Sequence, residues 1–93
     1  MKTKIRYSKS STKFMEKNPS VINREKAKSL IIMAVKKILK IENHNIDLKS
    51  LKANYKGSYR IKKGDIRIIF TLIRNKIITI VVRVIDFRGP AYN

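Results

Sequence analysis

The sequence predicts an α+β fold: a single small domain in the order β-α-α-β-β-β, with a helical hairpin packed on a mostly antiparallel sheet. Three observations predict it. An apolar stripe of helical period occupies the middle of the chain. Two Ile- and Val-rich runs joined by a short turn follow it, as antiparallel neighbours should. The helices also fall between a lone first strand and a group of return strands, which places them on one face of the sheet. With 93 residues there is room for one modest core, so residues 1–93 are read as one domain.

Each element has its local reason. Lys4 to Tyr7 (KIRY) alternates charged and apolar residues and is expected to be a short strand. Ser10 or Ser11 is then expected to cap a short helix carrying Phe14 and Met15. Asn18-Pro19 suits an N-cap followed by a first helical residue. From there to about Lys40, Ala27, Leu30, Ile31, Ala34, Val35, Ile38 and Ile41 follow the spacing of a buried stripe. Glu25 lies early, and Lys36, Lys37 and Lys40 lie late, complementing the helix dipole. Glu42 to Lys56 is polar and interrupted and is expected to be a loop, with Leu48 and Leu51 as brief apolar notes. Strands are expected at Ser58 to Lys63, Ile66 to Ile73 and Ile77 to Phe87, with tight turns at Gly64-Asp65 and near Asn75.

Composition narrows the classes of function. No apolar run approaches the roughly 18 to 20 residues of a membrane-spanning helix, so no membrane association is expected. The basic start MKTKIRYSKSS lacks the apolar run of a signal peptide, and cysteine is absent, which together fit a cytoplasmic protein. One histidine and scattered carboxylates offer little to a metal, and no cofactor is expected. The net charge of +17 attracts polyanions. Part of it follows from a bias toward Lys, Ile and Asn of the kind AT-rich coding produces. Arginine is not explained that way, and five of the seven arginines lie between Arg60 and Arg88.

Strand alternation sorts these charges. Arg67 shares a face with Ile69, Thr71 and Ile73, opposite Ile66, Ile68, Phe70 and Leu72. Arg60 and Lys62 share a face of the preceding strand. The three are expected to converge on one side of the sheet, with Arg88 and Tyr92 at its rim. A cluster of like charges is unfavourable unless an anion binds there. Charges at strand edges also serve to block sheet-to-sheet aggregation, the bland alternative.

The segment from about Leu48 to Tyr92 resembles the RelE/ParE superfamily, the toxins of bacterial toxin–antitoxin pairs, and in particular its RelE-like branch. The resemblance rests on LKANYKGSYRIKKGDIRIIF, with its leucine, tyrosine-arginine, glycine and arginine-hydrophobic pattern, and on the closing RGPAY. It implies cleavage of messenger RNA in the ribosomal A site. It also implies an acidic antitoxin as partner, whose complex would set the oligomeric state. The matching positions are Arg60 and Lys62, Arg67, and Arg88 with Tyr92. The short, Pro90-stiffened spacing from Arg88 to Tyr92 and the aliphatic Ile66 depart from the family's pattern.

Metal-free RNA cleavage uses the neighbouring 2′-hydroxyl as nucleophile and needs a base, a charge stabiliser and a proton donor. The single histidine, His44, lies in a polar stretch and reads as surface. Lys62, flanked by cations that favour its neutral form, is the expected base. Arg67 and Arg88 are expected to fork phosphate oxygens, and Tyr92 to stack on a base or orient the hydroxyl. The catalytic set is therefore Lys62, Arg67, Arg88 and Tyr92, and the RNA-contacting set Arg60, Lys52, Lys56 and Lys63. Two other functions stay open at this point: a ParE-like inhibitor of DNA gyrase without nuclease activity, and a non-catalytic basic RNA-binding module.

Overall fold

The computed structural model describes residues 2–51 and 57–87. Five strands form one sheet, β1 (Thr3–Tyr7), β2 (Asp47–Ser50), β3 (Ser58–Lys63), β4 (Ile66–Arg74) and β5 (Ile78–Phe87). Two helices, α1 (Lys9–Lys17) and α2 (Arg24–Ile38), lie between β1 and β2 in the chain. The spatial order is β1-β5-β4-β3-β2, antiparallel throughout except that β1 runs parallel to β5. The expected α+β architecture is present, with one strand more than the sequence suggested.

That extra strand, β2, lies inside the stretch expected to be a loop. Its pattern is short but regular: Ile46 and Leu48 turn inward while Asp47 and Lys49 face solvent, and Leu48 pairs with Ile61 of β3. An edge strand needs one partner only, so four residues suffice.

The helix boundaries also shift. Ser8, not Ser10 or Ser11, caps α1; its Oγ accepts the Ser11 N–H at 3.1 Å, and Ser11 itself is fully buried. The Ser8 N–H in turn donates to the Val82 carbonyl, so the cap is fixed to the end of the β1–β5 pairing. Asn18 closes α1 instead of opening the next helix, donating from its backbone and its Nδ2 to the Phe14 carbonyl. Pro19 then leads a turn that tucks Ile22 into the core, and Asn23 caps α2 by accepting the Lys26 N–H at 2.8 Å. An N-cap of this kind contributes about 1 kcal/mol. Lys40, with φ of 59°, ends the helix in the left-handed region. The Ile41 N–H reaches back to the Lys36 carbonyl, the bond that closes a Schellman turn.

Both helices cover the same face of the sheet. Against them lie Ile61, Ile68, Phe70, Ile80 and Val82, all fully buried, with Ile31, Ala34 and Val35 of α2 opposite. Phe14 meets Phe87 edge-on at 4.9 Å, and Tyr59 stacks on Phe70 at 5.7 Å. The β3–β4 hairpin turns on Gly64 and Asp65, between the paired residues Lys63 and Ile66. A φ of 59° at the first turn residue explains the glycine there. The opposite face of the sheet has no element of the described chain over it. No described helix is long and apolar enough to cross a membrane.

Candidate functional site on the open face of the sheet

The open face is ordered by register into rungs that run across the strands. The rung nearest the β3–β4 turn is Asp47 of β2, Lys62 of β3, Arg67 of β4 and Asp86 of β5, each the direct partner of the next. The next rung is Lys49, Arg60, Ile69 and Val84. Arg60, Lys62 and Arg67 therefore do share one face, as alternation required.

The rung carries two acids that sequence reasoning left out. Asp86 takes a two-pronged hydrogen bond from Arg67, with Nε donating at 3.0 Å and Nη2 at 2.7 Å. This fork holds the Arg67 pKa above its ordinary value. Asp47 stands 3.5 Å from the Arg60 Nη2 and 3.8 Å from the Lys62 Nζ. The cluster is thus not an uncompensated crowd of cations. The first rung is formally neutral, an acid at each end and two bases between.

Asp86 escapes a simple sequence reading because of a β-bulge. Counting alternately from the buried Ile80 and Val82 would turn Asp86 into the core. The pairing slips between Ile69 and Phe70: Phe70 faces Val82 while Ile69 faces Val84, and Arg83 is the extra residue. The slip returns Ile85 to the interior at 3 % exposure and brings Asp86 out beside Arg67. Nothing in VVRVIDF announces the slip except its outcome, a buried Ile85 and a partly buried Phe87 with an acid between.

Lys63 is not part of the rung. It lies on the other side of β3, where it lines a hollow of about 280 Å³ with Lys26, Leu30, Gly64, Asp65 and Phe87. Arg88, Tyr92, Lys52 and Lys56 lie outside the described residues. His44 sits beyond the end of α2, its Nε2 2.9 Å from Glu42. Lys36, which also bonds Glu42 at 3.2 Å, is the main cause of a lowered Glu42 pKa. Ile32 and Met33 line a shallow groove near it with Lys36. Among the described residues, no three His, Cys, Asp or Glu side chains gather to hold a metal.

A helical pair on one face of a five-stranded sheet makes this chain similar in fold to solved YafQ and RelE toxins. A YafQ variant from E. coli superposes with a TM-score of 0.58 at 14% identity, over 99% of this chain and 100% of that one. RelE in the RelB–RelE antitoxin–toxin complex from Methanococcus jannaschii matches with a TM-score of 0.50 at 20% identity, over 94% of each chain. The RelBE2 toxin–antitoxin complex from Mycobacterium tuberculosis gives 0.51 at 14% identity, over 95% and 100% of the two chains. No family model matches the sequence, and no curated protein does. The likeness is one of fold.

Proposed function

We propose that this chain is the toxin of a toxin–antitoxin pair, a cytoplasmic endoribonuclease that cleaves messenger RNA on the ribosome without a metal. The observation that carries the reading is the Asp47–Lys62–Arg67–Asp86 rung. It sets a lysine and an arginine side by side on an uncovered sheet face, in a fold shared with RelE-like toxins. The reaction joins the 2′-oxygen to phosphorus and breaks the bond to the 5′-oxygen. A cyclic phosphate and a free 5′-hydroxyl result, with the nucleophile's proton lost and one gained by the leaving oxygen.

Arg67 has the geometry to fork a non-bridging phosphate oxygen once the phosphate competes with Asp86. Lys62, one rung position away, is the proton-transfer group, and Arg60 holds the strand. Asp47 shields Lys62, so the like-charge crowding that first suggested a base is partly offset. The catalytic power of such a site lies mainly in positioning, which suits an enzyme that works inside a large RNA assembly. Arg88 and Tyr92 complete the proposed set. An acidic antitoxin is the proposed partner, consistent with a basic chain and with fold neighbours solved as antitoxin–toxin complexes.

The test is induced expression with mapping of messenger 5′ ends. Arg67→Ala is expected to relieve growth arrest and abolish cleavage. Lys62→Met is expected to slow cleavage by about 10² to 10⁴, the usual range for a lost proton-transfer group. Unchanged toxicity in Arg67→Ala would overturn the proposal. Gyrase-dependent DNA breaks with intact messenger would replace it with the inhibitor reading.

A further inference from the structure

The first rung balances its own charge, so it cannot be what draws a polyanion to the sheet. The cations without a carboxylate lie farther along the same face. Lys49, Arg83, Arg6 and Lys4 are all exposed and make no ion pair among the described residues. Arg6 pairs across to Val81, and Val81 to Thr71, so Arg6 belongs to the rung of Thr71 and Ser58. Arg83, unpaired at the bulge on the same face, reaches this rung through its bond to Thr71.

Arg83 is held there, not merely exposed. Its Nε donates to Thr71 Oγ1 at 3.1 Å, and Thr71 Oγ1 is 2.8 Å from Ser58 Oγ. The Arg83 carbonyl accepts from Ser8 Oγ at 2.8 Å, which pins the bulge to the α1 cap. One edge of the guanidinium is thus used for positioning. Its two terminal nitrogens have no hydrogen-bond partner among the described residues. A fixed guanidinium with its far edge open matches phosphate oxygens. Arg67 and Thr71 lie four residue steps apart along β4, roughly 13 Å at strand rise.

We propose that Arg83 and Arg6 form a second phosphate seat, which takes the backbone of the RNA strand nucleotides away from the bond cut at the Lys62–Arg67 rung. This rests on the reading of the open face as an RNA site. The rung handles one phosphate, and the seat across the bulge supplies the attraction and the direction of the strand. Uncompensated cations on an open sheet favour a phosphate backbone over an acidic protein segment, because a backbone repeats its charge along the strand while the nearby Thr71 and Ser58 hydroxyls are already engaged with Arg83 and with each other.

The test uses the full chain in an Arg67→Ala background, titrated with a labelled oligouridylate over a range of salt. The double variant Arg6→Gln, Arg83→Gln is compared with Lys9→Gln, Lys13→Gln, which removes equal charge from exposed positions on α1. Two lost phosphate contacts should lower the slope of log affinity against log salt by about 1.4, at roughly 0.7 per contact for a single strand. The α1 pair should leave the slope nearly unchanged, and Arg6→Lys, Arg83→Lys should retain most of it. Equal slopes for the two glutamine doubles would overturn the seat. So would a loss seen only with an acidic peptide and not with RNA. If the unmutated chain leaves messenger intact while the slope still falls, the seat stands and the nuclease reading fails. Cleavage by the unmutated chain with unchanged slope has the opposite meaning.

Discussion

The two faces of the sheet are made from the same strands and have little else in common. On the covered face, Ile61, Ile68, Phe70 and Ile80 are fully buried under α1 and α2. On the open face, Lys62, Arg67 and Asp86 keep side chains from about a quarter to two-fifths exposed and pair with charged neighbours, Lys62 with Asp47 and Arg67 with Asp86. The first face holds the fold together, through roughly 1.5 to 3 kcal/mol for each large side chain removed from water. The second contributes little to stability, since partly exposed ion pairs are worth about 0 to 1 kcal/mol. Alternation along β4 therefore writes stability and candidate chemistry into one segment, IRIIFTL, without either compromising the other.

The sharpest way to break this comparison is to truncate one residue on each face. Phe70→Ala leaves a cavity against Tyr59 and Val82 and is expected to cost about 3 to 5 kcal/mol. That is a large part of the stability of a domain this size. Arg67→Ala is expected to change stability by less than about 1 kcal/mol while removing cleavage. Urea denaturation of the two variants beside the parent measures both. Comparable losses would mean that the open face carries structural load and that its charges are not free for function.

Much of this division was legible in the sequence because periodicity states it directly. Ile66, Ile68 and Phe70 against Arg67 and Ile69 need no coordinates, and the stripe from Ala27 to Ile38 needs none either. What was not legible depends on partners. Asp47 looked like loop because a four-residue edge strand has too few residues to show a period. Asp86 was passed over because a bulge shifts the phase of β5 at Arg83, and a bulge is decided by how Ile85 packs into the core. The caps moved for a related reason: Ser8, Ser10 and Ser11 are equivalent as isolated N-caps, and the bond from Ser8 to Val82 chooses among them. Both missed acids change the chemistry, converting a supposed cationic cluster into a neutral rung.

A smaller effect sharpens the comparison at Arg60. Its Nε is buried and has no hydrogen-bond partner among the described residues, while Nη2 reaches Asp47 at 3.5 Å. An unsatisfied buried donor costs about 1 to 3 kcal/mol, offset here by the packing of the side-chain stem and by Asp47. Arg60→Met keeps the stem and removes the donor. Its unfolding free energy from urea denaturation is expected to stay within about 1 kcal/mol of the parent, or to rise, while RNA affinity falls and the salt slope drops by about 0.7. A loss above about 2 kcal/mol would show that Arg60 is part of the scaffold and belongs with the covered face.

The smallest effect concerns the fork between Arg67 and Asp86. Its geometry is good, with contacts of 2.7 and 3.0 Å, yet its side chains are 40% and 33% exposed. A double-mutant cycle with Arg67→Ala and Asp86→Ala should give a coupling of about 0.2 to 1 kcal/mol. Asp86 raises the Arg67 pKa, so the folded chain holds that proton more tightly than the unfolded chain. From the Arg67 side, the contribution is fully present below the unfolded value and is lost only as pH rises through the higher folded one. Moving from neutral pH to pH 9 should therefore leave the coupling unchanged, whereas 1 M salt, with a Debye length near 3 Å, should reduce it. A weak, screenable pair is what the proposed RNA site requires, because in that reading a phosphate has to displace Asp86 to reach Arg67. A coupling above about 2 kcal/mol would make Asp86 a lock on Arg67 and assign the arginine to structure.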